Sequence, residues 1–358
     1  MTGPAQFREP AGSRNQAAMI QGRLISNCRQ FVILATLHSN ASSPRAFRHL
    51  SGTGPSIELR RLPLGSEVID TMPFEEITVP APDGYLVPLE VSGAADPSAR
   101  LLLLPALGIQ ARLYRKLGAL LAGSGISTTA LEQRGHGRSA LRPSRRCDYG
   151  FSEWLRADIP AALDWLHSLE PRVPVFLAGH SLGGHLALMA RSLYPQRVAG
   201  VVLVTTATPY YRCFHGITRR QVQFLIAAVP LITAVLGYYP GNRMGFGGRE
   251  ARRLMSDWLV MARENRYSAR GMEPEDLERR VRSDSCAVLS VYCDRDDLAP
   301  LSAIEGVTRR LENHRIESFE ITSDALGAPA DHTSWARYPD VAAQAIARWI
   351  HGQTAVTG

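Results

Sequence analysis

The spacing of apolar residues along the chain changes several times, and the changes delimit elements. Two β-rich runs, Phe74 to Val79 and Tyr85 to Val91, flank Pro82-Asp83-Gly84, where proline fixes φ and glycine accepts the positive φ of a tight turn. Leu101 to Leu104, Val175 to Ala178 and Val198 to Val204 are short, nearly continuous apolar runs, and Thr128 to Leu131 is a fourth strand of similar length. Runs of this kind predict strands buried on both faces of a parallel sheet. Between them the period lengthens to that of a helix over Ala111 to Ala122, Phe151 to Leu169 and Gly184 to Tyr194. The middle one shows its apolar face in Trp154, Leu155, Ile159, Ala162, Leu163 and Leu166.

Strands alternating with helices predict an α/β architecture, a mostly parallel sheet covered by helices on both sides. After Thr206 the alternation stops. From Pro209 to about Ser283 the pattern is helical and irregular; it then resumes with strand Ala287 to Tyr292, helix Leu301 to Glu312, strand Ile316 to Ile321 and helix Tyr338 to His351. The expected organisation is a core of residues 71–208 and 284–355, a helical cap of residues 209–283 inserted between strands, and an N-terminal extension, residues 1–70, that forms no core of its own. That extension reads as a disordered tail or an over-long start, with an Arg/Ser-rich presequence as the third reading.

Within the cap, Val222 to Pro240 holds no charged residue and is long enough to invite a membrane-spanning reading. Pro230 and Gly237 are expected to interrupt it. A single span there would also place Ser181 and the later candidate residues on opposite sides of a bilayer. The expectation is therefore a chain without a transmembrane segment, with weak membrane-surface contact through the cap at most.

Charge narrows the picture. The net charge is +7, but residues 1–66 carry eight arginines against Glu9 and Glu58, so nearly all of the excess sits there. The remainder is close to neutral, which argues against a nucleic-acid partner. Five widely spaced cysteines, Cys28, Cys147, Cys213, Cys286 and Cys293, show neither C-x-x-C pairing nor a disulfide framework, and fit a reducing, cytoplasmic setting. No spacing of metal ligands appears. Gly245-Phe-Gly-Gly248 lacks the Lys-Ser/Thr and the strand–helix context of a phosphate loop.

The chemistry is carried by Gly179-His-Ser-Leu-Gly183, which stands between the strand from Val175 and the helix from Gly184. A G-x-S-x-G turn in that context holds its serine in a strained conformation at the strand end and aims a helix N-terminus at any oxyanion formed beside it. A serine hydroxyl needs a base to take its proton, and the base needs a third group to hold its tautomer. Both should follow later strands. Strand Ala287 to Tyr292 runs into Cys293-Asp-Arg-Asp-Asp-Leu-Ala-Pro300, and strand Ile316 to Ile321 is followed by Asp331-His332-Thr-Ser-Trp335.

With Arg134-Gly-His-Gly-Arg-Ser139 matching an R-G-x-G-x-S loop and Cys293 to Pro300 matching a G-x-x-D-x-x-x-P loop with Cys in place of Gly, the chain from Phe74 to His351 resembles the α/β-hydrolase superfamily. Within it, the chain looks most like the serine-aminopeptidase and lysophospholipase-like branch. The resemblance implies a serine hydrolase: Ser181 as nucleophile, His332 as base and Asp296 as the acid, with Asp294 and Asp297 as runners-up. The oxyanion donors would be the N–H of Leu182 and, from the loop after Leu104, that of Leu107, with Ala106 second. This chain has Pro105-Ala106 where many members carry His-Gly. Trp335 would fill a position that is often aromatic, and the remaining histidines, His136, His180 and His185 among them, read as hydrogen-bonded structure.

The cap would line an apolar pocket with residues such as Phe224, Leu225, Tyr238 and Trp258, around a small-molecule acyl substrate and without a cofactor or metal. The substrate expected is a carboxylester, lipid ester or thioester. Two rivals stay open: acyl transfer with the same triad, and a ligand-binding protein that keeps the fold without catalysis.

Overall fold

The computed structural model describes residues 74–357, so the expectations for residues 1–70 lie outside the described residues. The strands, in chain order, are β1 (Glu75–Pro80), β2 (Leu86–Ser92), β3 (Ala99–Leu104), β4 (Ile126–Leu131), β5 (Val175–His180) and β6 (Gly200–Val204), then the short β7 (Tyr238–Pro240) and β8 (Arg249–Ala251), and finally β9 (Ala287–Cys293) and β10 (Arg315–Ile321). Eight of them form one sheet in the order β1-β2-β4-β3-β5-β6-β9-β10. β1, β2 and β4 pair antiparallel, and every neighbour from β4 to β10 is parallel. The chain is an α/β protein with a mostly parallel sheet flanked by helices, as the alternation predicts. All six residues of β3 and all six of β5 are buried, as continuous apolar runs require.

Register sets where chemistry can gather. Leu104 pairs with Gly179, His180 with Val204, Val204 with Val291 and Cys293 with Ile321. The C-terminal ends of β3, β5, β6, β9 and β10 therefore form one edge, and the loops that follow them emerge side by side. Open parallel sheets bind ligands at that edge.

Two helices depart from expectation in ways the backbone explains. The run Phe151 to Leu169 is not one α-helix: a π-helical turn, Trp154–Asp158, precedes Ile159–Leu169 and absorbs Pro160 at the start of the latter. Pro230 does not interrupt its run. Gly216–Leu236 is a continuous 21-residue helix that ends at Gly237, with φ 80°. A proline inside a helix orphans the carbonyl four residues back, here Ile226. The Arg263 guanidinium donates to that carbonyl at 2.7 Å, and the helix survives.

By length and composition this helix could cross a membrane, and 22% of its most apolar window is buried. Ile217, Leu231 and Val235 are exposed on it.

The connection from β6 to β9 also holds helices Arg252–Glu264 and Pro274–Ser283. Side-chain bonds tie the first of these to the loop before Phe151: Asp257 accepts the N–H of Phe151 at 2.8 Å, and Asp148 accepts that of Arg253 at 2.9 Å. The described residues fall into two compact units, one of residues 74–239 with 247–357, the other containing Pro240–Phe246. Among the described residues, the second unit holds one short helix, Gly241–Met244.

Candidate active site

Steric exclusion builds the turn at the end of β5. Ser181 has φ 52° and ψ −114°, a conformation that costs a non-glycine residue on the order of 1–3 kcal/mol. Its N–H donates to Val204 O at 2.9 Å, which ties the turn to the end of β6. A Cβ at Gly179 would fall on the backbone of Gly183 and Gly184, one at Gly183 on the carbonyl of Leu104, and one at Gly184 on the Thr206 side chain. The three glycines thus let the helix Leu182–Leu193 start directly against β3, β5 and the end of β6. Leu182, its first residue, has no i−4 carbonyl within the helix for its N–H.

His332 and Asp296 come together from two other loops. His332 Nδ1 lies 2.7 Å from Asp296 Oδ2. The other carboxylate oxygen, Oδ1, accepts the N–H groups of Leu298 and Ala299, each at 3.0 Å. Asp296 is buried, so its charge is held by three donors in a region poor in water. The runners-up stand apart. Asp294 is committed to the backbone and hydroxyl of Ser323, at 2.9 and 2.7 Å, and Asp297 is exposed.

Ser181 reaches this pair through its neighbour: His180 Nε2 lies 2.8 Å from the His332 carbonyl oxygen, and the two imidazoles are 5.0 Å apart. Among the described residues no hydrogen bond joins the Ser181 hydroxyl to His332. Unliganded sites often hold this contact loose.

The loop after β3 is braced from two sides. Gln133 Nε2 donates to Pro105 O at 2.6 Å, and the Ala106 N–H donates to the Tyr114 hydroxyl oxygen at 3.2 Å. Of the two expected donors in this loop, Ala106 is therefore already engaged. Gly108, at φ 78°, presses its open Cα face on Gly247 and Gly248, and the Leu107 side chain lies along Gly247. Glu250 holds that strip: Oε1 accepts the Gly248 N–H at 2.6 Å, while Oε2 lies 3.1 Å from His136 Nε2. Burial opposes a charge on His136, but the Glu250 carboxylate outweighs it and raises the His136 pKa. Gly247, Gly248, Glu250 and Tyr114 were not legible as parts of this site, because their partners lie far away in the chain.

The R-G-x-G-x-S loop is architecture. Arg134 Nε reaches both oxygens of Asp158, at 3.0 and 2.9 Å, and Nη2 reaches Asp83 at 2.6 Å. Burial raises the Asp158 pKa to about 6, with Arg134 opposing the rise. Ser139 Oγ accepts the Gly135 N–H at 3.0 Å and the Tyr85 hydroxyl at 2.8 Å, closing the loop on itself.

Leu225 and Trp258 are buried, Phe224 is half-buried, and Tyr238 lies under the Arg249 guanidinium, 3.9 Å from the ring centre. A cleft of about 500 Å³ shares no residue with Ser181, His332 or Asp296; Arg266, Glu275, Glu278 and Arg279 line part of it.

The fold also makes one cluster that spacing did not announce. Ligand atoms of Asp284, Cys286 and His314 lie within 4.8 Å of one another. Arg191 Nη1 sits 3.1 Å from Asp284 Oδ1, so a guanidinium already supplies the countercharge there. These residues border the N-terminal ends of β9 and β10, opposite the edge that carries Ser181.

Residues 95–266 match the family described as "Serine aminopeptidase, S33", a stretch that includes Ser181 and ends before Asp296 and His332. Monoglyceride lipase of Homo sapiens is 28% identical over 137 residues, 38% of this chain and 44% of that protein. The chain has the α/β-hydrolase fold. Its match lies in the lysophospholipase-like branch. The mouse monoglyceride lipase is similar at 26% identity over 136 residues, 37% of this chain and 44% of that protein. This α/β-hydrolase spans less than half the length of the curated relatives it matches. Among solved structures, a thermostable carboxyl esterase from Bacillus coagulans superposes with a TM-score of 0.57 at 14% identity, covering 79% of this chain and 100% of the other, a likeness of fold.

Proposed function

We propose that this α/β-hydrolase is a serine hydrolase of ester-like substrates, working through Ser181, His332, Asp296 and a covalent acyl-enzyme. The observation that carries the reading is the 2.7 Å bond from His332 Nδ1 to Asp296 Oδ2, formed on the same sheet edge as the strained Ser181. In the proposed reaction His332 Nε2 takes the Ser181 proton as Oγ attacks the carbonyl carbon. Asp296 holds the imidazolium, and the leaving group takes the proton from Nε2. Water then enters by the same route in reverse and releases the acid. The N–H groups of Leu182 and Leu107 donate to the developing oxyanion, a contribution of roughly 3–4 kcal/mol per donor in comparable sites. Leu107 is preferred to Ala106 because the Ala106 N–H is spent on Tyr114.

The β6–β9 connection is the proposed cap, with Phe224, Leu225, Tyr238 and Trp258 as its candidates for the acyl or alcohol pocket. Lipid esters are the favoured end of the substrate range. No acidic residue occurs between Glu170 and Glu250, and the helix Gly216–Leu236 exposes Leu231 and Val235 beyond Arg219 and Arg220. An apolar, cationic outer face suits contact with a lipid surface. The monoglyceride lipase relatives point the same way. A cytoplasmic site of action fits the cysteine usage.

The test is a panel of p-nitrophenyl esters, monoacylglycerols and acyl thioesters assayed with wild type and Ser181→Ala. Wild-type turnover that Ser181→Ala abolishes supports the reading, and full retention of activity in that variant overturns it. Adding alcohol acceptors distinguishes transfer from hydrolysis.

A further inference from the structure

His180, the residue before the nucleophile, is at the centre of a chain of hydrogen bonds whose direction the chemistry fixes. The His332 carbonyl can only accept, so His180 Nε2, 2.8 Å away, carries a proton and donates it. Burial, and next the neighbouring His332, push the His180 pKa well below its usual value, so the ring holds one proton and Nδ1 is a bare acceptor. Nδ1 must then accept from the Tyr114 hydroxyl, 2.8 Å away. The oxygen of that hydroxyl in turn accepts the Ala106 N–H at 3.2 Å.

The chain therefore runs one way: Ala106 N–H to Tyr114 O–H to His180 Nε2–H to His332 C=O. Trp335 Nε1 adds a second donor to the same carbonyl at 3.1 Å. Tyr114 and His180 are 1% exposed and Trp335 is fully buried, so no water competes for these bonds. Their rings also pack edge-on, Tyr114 to His180 at 6.0 Å and His180 to Trp335 at 5.1 Å.

Each end of this chain lies beside a different half of the proposed site. Ala106 precedes Leu107, the second oxyanion donor, and the carbonyl at the far end belongs to His332, the base. The orienting bond to Asp296 uses the side chain of His332, whereas this chain holds its backbone, so the two constraints are independent. Between them sits the peptide that leads into Ser181.

We propose that Tyr114 and His180 are positioning residues, a buried relay that fixes the oxyanion loop and the base loop relative to one another on either side of Ser181. The proposal rests on the serine-hydrolase reading. Neither residue touches substrate in it. Each sets the spacing of groups that do, and small errors in such spacing cost rate more than binding.

Two glutamine-family variants divide the ring of His180. In His180→Gln the side-chain amide nitrogen can reach the position of Nε2 and keep the bond to His332. In His180→Asn the shorter amide can meet only Tyr114. With active sites counted by fluorophosphonate labelling, the expected kcat per labelled site falls about tenfold in Tyr114→Phe and about a hundredfold in His180→Asn, with KM within about twofold of wild type. His180→Gln should recover about tenfold over His180→Asn. A merely structural role would reduce the labelled fraction and leave kcat per labelled site unchanged.

The second readout is independent of turnover. The downfield proton resonance of the His332 Nδ1–H···Asp296 bond should shift or broaden in Tyr114→Phe. Unchanged kcat per labelled site in Tyr114→Phe together with an unshifted resonance overturns the proposal. Equal rates for His180→Gln and His180→Asn also overturn it. Wild-type protein that neither labels nor turns over any ester overturns the hydrolase reading, and this proposal with it, whereas a labelled wild type with unaffected variants removes the relay alone.

Discussion

The turn around Ser181 and the connection from β6 to β9 are held together in opposite ways. At the turn the constraint is exclusion by backbone: a Cβ on Gly183 would overlap the Leu104 carbonyl, and one on Gly179 would overlap the start of the helix. Nothing flexible stands in the way, so sequence variation has no room. The connection is held by scattered side-chain bonds, each replaceable: Arg263 on the carbonyl that Pro230 orphans, Asp257 on the Phe151 N–H, Glu250 on the Gly248 N–H. The first kind of region writes itself into a local motif. The second does not.

The largest expected effect follows from the exclusion. Gly183→Ala should cost several kcal/mol, on the order of 3 or more, and abolish soluble folded protein or ester turnover, as read by thermal melting and rate. Gly123→Ala, where a Cβ meets nothing within 4 Å at the end of a helix, should be neutral or stabilising. Equal tolerance at the two positions would break the comparison.

Next is the helix Gly216–Leu236. Arg263→Met should leave the Ile226 carbonyl without its donor and cost about 1 kcal/mol. Hydrogen exchange should speed up between Val222 and Leu236 while the strand before Ser181 stays protected. Adding Pro230→Ala, which restores the helical N–H, should recover the loss. Faster exchange at the elbow instead would mean that the two regions are not held separately.

A smaller effect depends on pH. Burial raises the Asp257 pKa to about 7, against 3.8 when free; the Phe151 N–H opposes the shift. The folded chain therefore binds more protons than the unfolded chain between these values. The stabilisation by the protonated carboxyl is fully present below pH 4 and is lost as pH rises through 7. Asp257→Asn should melt higher than wild type by roughly 3 °C at pH 8, with the advantage shrinking toward pH 5. An advantage that is the same at both values would mean that Asp257 does not titrate as described. Leu231→Ser, on the exposed face, should move the melting temperature least, by about 1 °C or less.

The same contrast explains how much was legible beforehand. The order of strands and helices was readable because β3, β5 and β6 are buried on both faces and so must be continuous apolar runs. The elbow was readable because sterics admit only glycine there, and the meeting of Asp296 with His332 because the loops after β9 and β10 emerge on the edge that register assigns them. Pro230 misled because its rescue comes from Arg263, 33 positions away. The bracing of Leu107 and Gly108 by Gly247 and Gly248, and the relay through Tyr114, join residues without any local pattern, and periodicity cannot see such pairs.

The central claim is that Ser181 is activated by His332 held on Asp296. Mass mapping of the protein after fluorophosphonate treatment tests it most directly. The account predicts a single adduct on the peptide containing Ser181, formed by wild type and lost or strongly slowed in Ser181→Ala, His332→Ala and Asp296→Asn. An adduct on another residue, or labelling of Ser181 at the wild-type rate without His332, would contradict it.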